Sequence, residues 1–129
     1  MPNKAPLRTD RAPAPFQGAP YSQGIRWGEL VFVSGQLGVD PGTGTMVDGG
    51  ITEQTERVMA NLRAVLEEAG SSLEQVLKAS IFLADLGDFA AMNEVYARHV
   101  GPEPPARSTF QVAGLPSGAL VEIEVIASV

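Results

Sequence analysis

Arg107, Glu122 and Glu124 are the side chains whose types and spacing most invite chemistry in this chain of 129 residues. A guanidinium is a planar fork that matches a carboxylate, and a glutamate set near it orients a water or exchanges a proton. Arg107 opens one extended segment, and the two glutamates alternate along the next, in V-E-I-E. The turn residues Leu115-Pro116-Ser117-Gly118 lie between them, and an antiparallel return there would bring Arg107 near the final strand. Together these groups describe a site for a small carboxylate-bearing substrate, or a structural ion pair; spacing alone leaves both open.

Other chemistries find few residues to use. There is one histidine, His99, and no cysteine. A structural or catalytic zinc needs three or four ligands, and a serine–histidine triad would need His99 as base beside a G-x-S-x-G elbow that the chain lacks. Neither G-x-G-x-x-G nor a P-loop occurs, so the glycines of residues 40 to 50 read as turns. No metal is expected, and thiol chemistry is excluded. Nine basic against fifteen acidic side chains give a net charge of -6, without the clustered Lys and Arg that release counterions from phosphates. Nucleic acid is not an expected partner. No apolar run approaches the roughly 20 residues of a bilayer span, and no signal-peptide core is present. The expectation is no membrane and a cytoplasmic location, which suits a cysteine-free chain.

The elements that must position these residues follow from periodicity. With 44% hydrophobic and 19% charged residues, the chain can bury a core, and its length suits one domain. Residues 1 to 15, interrupted by Pro2, Pro6, Pro13 and Pro15, read as a flexible arm, with organelle targeting as the lesser alternative. The single domain then spans 16 to 129. Gly24 to Arg26 and Glu29 to Ser34 predict a hairpin with its turn at Trp27-Gly28, and DPGTGTMVDGG a loop over 40 to 50. Ile51, Thr55, Val58, Met59, Leu62, Val65, Leu66 and Ala69 fall at helical spacing, ended by Gly70.

Ser72 with Gln75 predicts a short capped turn, and Lys78 to Ala84 a buried strand. Asp88 is expected to cap a second helix, carrying Phe89, Met92, Tyr96 and His99 or Val100 on one side and ending at Gly101-Pro102. Arg107 to Ala113 and a final segment to the C-terminus complete an order ββαβαββ. In the last strand Val121, Ile123, Val125, Ala127 and Val129 point one way, and Leu120, Glu122, Glu124, Ile126 and Ser128 the other. The pattern predicts an α+β two-layer sandwich, a mixed sheet with both helices on one face. Its other face keeps apolar residues, which predicts a homo-oligomer.

The blocks PYSQG at 20 to 24, VSGQLGVDPGTG at 33 to 44, FAAMNEVY at 89 to 96 and PPARSTFQVAGLPSGALVEIEVIA resemble the RidA (YjgF/YER057c/UK114) family, over nearly all of residues 16 to 129. The resemblance implies a chorismate-mutase-like fold, a homotrimer with active sites between adjacent subunits, and hydrolytic deamination of 2-imino acids and their enamine tautomers, such as 2-aminoacrylate, to 2-keto acids without a cofactor. It assigns the substrate-carboxylate arginine to Arg107 and the water-positioning glutamate to Glu122. Tyr21, Ser34, Gly35 and Asn93 match pocket residues. Thr109 stands in the pocket where some members carry cysteine, and Ala19 separates Gly18 from Pro20 where many members read G-P-Y directly. Two readings compete with the enzyme: a non-catalytic or regulatory trimer that senses small keto or imino acids, and RNA cleavage, which the acidic balance disfavours.

Overall fold

The computed structural model describes residues 3–129. Eight strands and two helices follow one another as β1 (Ala5–Leu7), β2 (Gly24–Trp27), β3 (Leu30–Gln36), β4 (Val39–Asp40), β5 (Thr45–Met46), α1 (Ile51–Glu68), β6 (Val76–Leu83), α2 (Phe89–Val100), β7 (Ala106–Gln111) and β8 (Val121–Ser128). The predicted ββαβαββ order is present as β2, β3, α1, β6, α2, β7 and β8. Six strands form the main sheet in the order β1-β2-β3-β8-β6-β7, while β4 and β5 make a small hairpin inside the glycine-rich stretch read as a loop.

α1 forms because its apolar stripe has somewhere to go: Val58, Leu62, Val65 and Leu66 have no exposed surface, and Met59 almost none. Burying each side chain of that size contributes about 1.5–3 kcal/mol. The Glu53 carboxylate accepts the Gly50 N–H at 2.8 Å at the start of the helix. At its end Gly70 takes φ +81°, while the N–H groups of Gly70 and Ser71 donate to Glu67 and Leu66. That pair of bonds is a Schellman motif, for which Gly70 is the residue without a steric penalty.

Strand alternation sets the layers. Val31, Val33, Ala79, Ile81, Leu83, Val121, Ile123, Val125 and Ala127 are buried beneath the helices. Phe32, Phe110 and Ile126 lie on the other face, where Phe110 remains 54% and Phe32 40% exposed. All main-sheet pairings are antiparallel except β6 with β7, the pair that α2 connects, since parallel neighbours need a crossover.

Four local expectations are corrected. The hairpin turn is Gly28-Glu29, because Trp27 pairs with Leu30 in the ladder. Asp88 makes no side-chain cap; Asp85 instead accepts the Gly87 N–H at 2.8 Å in the 3₁₀ turn that leads into α2. Ser72 bonds the Gln75 side chain at 3.1 Å rather than a backbone N–H. The chain before residue 16 is not a free arm: β1 adds to the sheet edge, Ala12 is buried, and Arg11 pairs with Glu67 at 2.9 Å. The buried Gln23 carboxamide donates to the carbonyls of Thr9, Ala12 and Pro13 and accepts the Thr9 N–H. Its hold is distributed over four bonds, which periodicity could not reveal. Met1 and Pro2, also assigned to the arm, lie outside the described residues. Among the described residues no helix is long and apolar enough to cross a membrane.

Candidate active site

The topology changes how Arg107 relates to Glu122. β7 and β8 are not a hairpin: β6 lies between them, so the expected antiparallel return beside the final strand does not occur. Arg107 is registered with Ala79, and Ala79 with Val125, all on the helix-covered face. Glu122 is registered with Phe82, and Phe82 with Phe110, on the open face. Directly paired residues share a face, so the guanidinium and the carboxylate belong to opposite surfaces of one sheet. The structural ion pair left open by spacing is thereby excluded within the chain.

On the open face, Tyr21, Ser34, Gly35 and Glu122 line one cleft of about 1000 Å³. A β-bulge places them there. Val33 pairs with Val125 and Gln36 with Ile123, so three residue steps on β3 face two on β8, and Ser34-Gly35 carry the surplus beside Glu122. Bulges disturb the ladder locally and re-aim side chains. The Ser34 hydroxyl donates to the Ser22 carbonyl at 2.6 Å, which fixes the loop bearing Tyr21. Gly35 leaves room for the Glu122 carboxylate in its present rotamer, because a Cβ there would overlap it. Glu122 is half-buried, and desolvation, with Glu124 adding like-charge repulsion, pushes its pKa above the usual carboxylate value. Such a carboxyl is suited to exchanging protons.

Several cleft residues carried no signal in the sequence. Pro13, Pro15 and Phe16 enter the wall from the chain around the expected domain boundary, and Leu37, Val39 and Met46 from the stretch around the small hairpin. Buried Asn61 steadies that stretch by donating to the Leu37 and Val39 carbonyls at 3.0 and 2.9 Å. Tyr21 reaches the cleft despite Ala19, its hydroxyl accepting the Phe16 N–H at 2.6 Å. Gln17 and Ser117, both lining residues, adopt φ of 52° and 57° in matching turns. A non-glycine residue there costs on the order of 1–2 kcal/mol, and such strain gathers at functional sites.

On the helix-covered face, Arg107, Asn93, Phe89 and Tyr96 form a second group. Arg107 Nη1 donates to Asn93 Oδ1 at 2.7 Å, and the guanidinium carbon stands 5.4 Å from the Phe89 ring centroid and 5.1 Å from that of Tyr96. Among the described residues no carboxylate lies within 4.0 Å of this guanidinium. Thr109, two residues along the same face of β7, has a buried hydroxyl without a hydrogen-bond partner, as does Tyr96. Burial raises the Tyr96 pKa, which Arg107 opposes, so the phenol stays protonated. The seven residues that the family resemblance assigns to the pocket thus fall into two groups: Tyr21, Ser34, Gly35 and Glu122 on one surface, and Asn93, Arg107 and Thr109 on the other.

A two-layer α+β domain that carries an acid-bearing cleft on the bare side of its sheet, and an unneutralised arginine under its helices, is the class of protein these features define. Residues 10–129 match the family model described as Endoribonuclease L-PSP. The chain is 49% identical to a RutC family protein of Pyrococcus abyssi, over 96% of each chain. It is 42% identical to 2-iminobutanoate/2-iminopropanoate deaminase of Capra hircus, over 94% of this chain and 87% of that one. Its backbone matches the crystal structure of RidA from the Antarctic bacterium Psychrobacter sp. PAMC 21119 with a TM-score of 0.92 at 43% identity, covering 97% of this chain and 99% of the other. The chain belongs to this L-PSP family, that of the RidA proteins.

Proposed function

We propose that this protein hydrolyses 2-imino acids and their enamine tautomers to 2-keto acids and ammonia, in sites completed between copies of the chain in a homotrimer. The observation that carries the reading is the Arg107 guanidinium, ordered by Asn93 and free of any carboxylate of its own chain among the described residues. A planar cation held in this way is suited to taking an external carboxylate bidentately. The deaminase name of the Capra hircus relative supports the same chemistry.

Arg107 of one copy holds the substrate carboxylate while the Glu122 cleft of the next receives the reacting carbon, which makes attack effectively intramolecular. Glu122 orients a water and takes its proton as the oxygen bonds to the imine carbon. The nitrogen gains protons, the carbon–nitrogen bond of the carbinolamine breaks, and ammonia leaves as the carbonyl forms. Tyr21, Ser34 and Gly35 shape the pocket around Glu122, and Asn93 and Thr109 that around Arg107. No metal or organic cofactor enters, because a protonated imine is already electrophilic.

The test generates imines from a panel of amino acids with an amino-acid oxidase and follows keto-acid release with and without the protein. Acceleration that vanishes in Arg107→Ala, with assembly intact, is expected. Keto-acid binding without acceleration would replace the enzyme by a sensing trimer, the reading in which the same cleft recognises small keto or imino acids without turnover.

A further inference from the structure

Arg107 sits on β7, an edge strand, where an arginine side chain left to itself would sample many rotamers. Here three groups from one helix surround it. Asn93 accepts from Nη1 at 2.7 Å, Phe89 stands at the first position of α2, and Tyr96 comes seven residues later, nearly two turns along. Both rings lie within the roughly 6 Å at which a cation gains from an aromatic face. Tyr96 is 5% exposed and its hydroxyl has no partner, whereas Phe89 is 40% exposed. A buried tyrosine ordinarily finds a partner for its hydroxyl; this one offers the cation its ring.

We infer that Phe89 and Tyr96 form an aromatic clamp that sets the orientation of the Arg107 fork, and so act as positioning residues for carboxylate recognition. The inference rests on the reading of Arg107 as the carboxylate-binding group. The clamp suits a guanidinium: a flat cation within reach of two rings keeps its edge N–H groups for hydrogen bonds such as that to Asn93, a division that a lysine ammonium cannot reproduce. It also separates the tyrosine ring, which is needed, from the tyrosine hydroxyl, which is not.

The test uses the assembled full-length protein and two readouts. One is the affinity for 2-oxobutanoate by calorimetry, with KM and kcat for the corresponding imine measured beside it. The other is the nuclear magnetic resonance signal of the Arg107 Nε–H, which neighbouring ring currents displace. Phe89→Leu and Tyr96→Leu are each expected to weaken keto-acid binding by about 3- to 30-fold, with KM rising more than kcat falls. The Arg107 signal should move in both, and Tyr96→Phe should restore both the affinity and the signal. Because Tyr96 is buried and Phe89 is not, Phe89→Leu tests the clamp even where Tyr96→Leu does not fold.

Leucine variants that keep both affinity and signal, or a Tyr96→Phe as damaged as Tyr96→Leu, overturn the clamp. Wild-type protein that binds 2-oxobutanoate in this pattern but does not accelerate imine hydrolysis overturns the proposed reaction and upholds the clamp. Wild-type protein that does not bind the keto acid removes the ground on which the clamp rests.

Discussion

Arg107 and Glu122 stand on opposite faces of the same sheet, separated by β6, with Arg107 registered with Ala79 and Glu122 with Phe82. Under the proposed reaction both groups meet one small substrate, which a single copy does not permit with a sheet between them. Complementation between inactive copies tests this directly. Arg107→Ala and Glu122→Gln, each inactive alone, should recover activity when denatured together and refolded as mixed trimers. At equal proportions a site needs an intact arginine from one copy and an intact glutamate from its neighbour, so about a quarter of the sites should work. No recovery in mixed trimers would mean that each site draws both groups from one chain.

Glu122→Gln should lower kcat by about 10²–10⁴-fold, the usual worth of a positioned acid or base. Because burial raises the Glu122 pKa, the acid limb of the wild-type pH–rate profile should lie above the ordinary carboxylate range. That limb should be missing from whatever activity the glutamine variant keeps.

The same shift has a thermodynamic sign. A carboxyl whose pKa is raised on folding binds its proton more tightly in the folded state, so its contribution to stability is full below the unfolded pKa and falls as pH rises through the raised one. Glu122→Gln should therefore melt higher than the wild type near neutral pH. The gap should close as pH drops below the normal carboxylate value, as thermal denaturation at a series of pH values will show.

Gly35→Ala places a methyl group where the Glu122 carboxylate now lies. The side chain can swing aside, so thermal stability should change little. Hydrolysis should fall at least about tenfold, since catalysis is sensitive to displacements near 1 Å. A variant that retains full activity would show that Glu122 works from another rotamer.

Gln23→Ala removes the carboxamide that holds residues 9 to 13 against the domain. Leaving part of that buried backbone unpaired should cost about 1–3 kcal/mol in chemical denaturation. The Thr9 amide should exchange faster with solvent, and trypsin should cut more readily after Arg8 and Arg11.

The helices and the faces of the strands were legible because they rest on local periodicity. The stripe from Ile51 to Ala69, its stop at Gly70 and the alternation of Val121 to Val129 each follow from the spacing of apolar residues. Strand order was not legible in the same way. The turn residues 115 to 118 suggested that β7 and β8 pair, whereas β8 inserts between β3 and β6, a choice set by packing across the whole sheet. The candidate residues could be named from motif resemblance, but their division between two surfaces could not, because it depends on that strand order. The bulge at Ser34-Gly35 and the Pro13–Phe16 wall likewise left no period to read, and the buried Gln23 that fastens the leading segment sits in a stretch with no apolar rhythm.

The surplus residue in β3 is redundant for the core. With Ser34 or Gly35 deleted, Val33 and Gln36 would oppose Val125 and Ile123 as next-but-one neighbours, and every inward side chain would remain inward. A chain shortened by one residue at this rung should still fold, into a more regular ladder, and yet present an acid with nothing shaped around it. Under the proposed reaction, length at that single place is held by the cleft around Glu122 and not by the architecture, the reverse of what governs the neighbouring rungs.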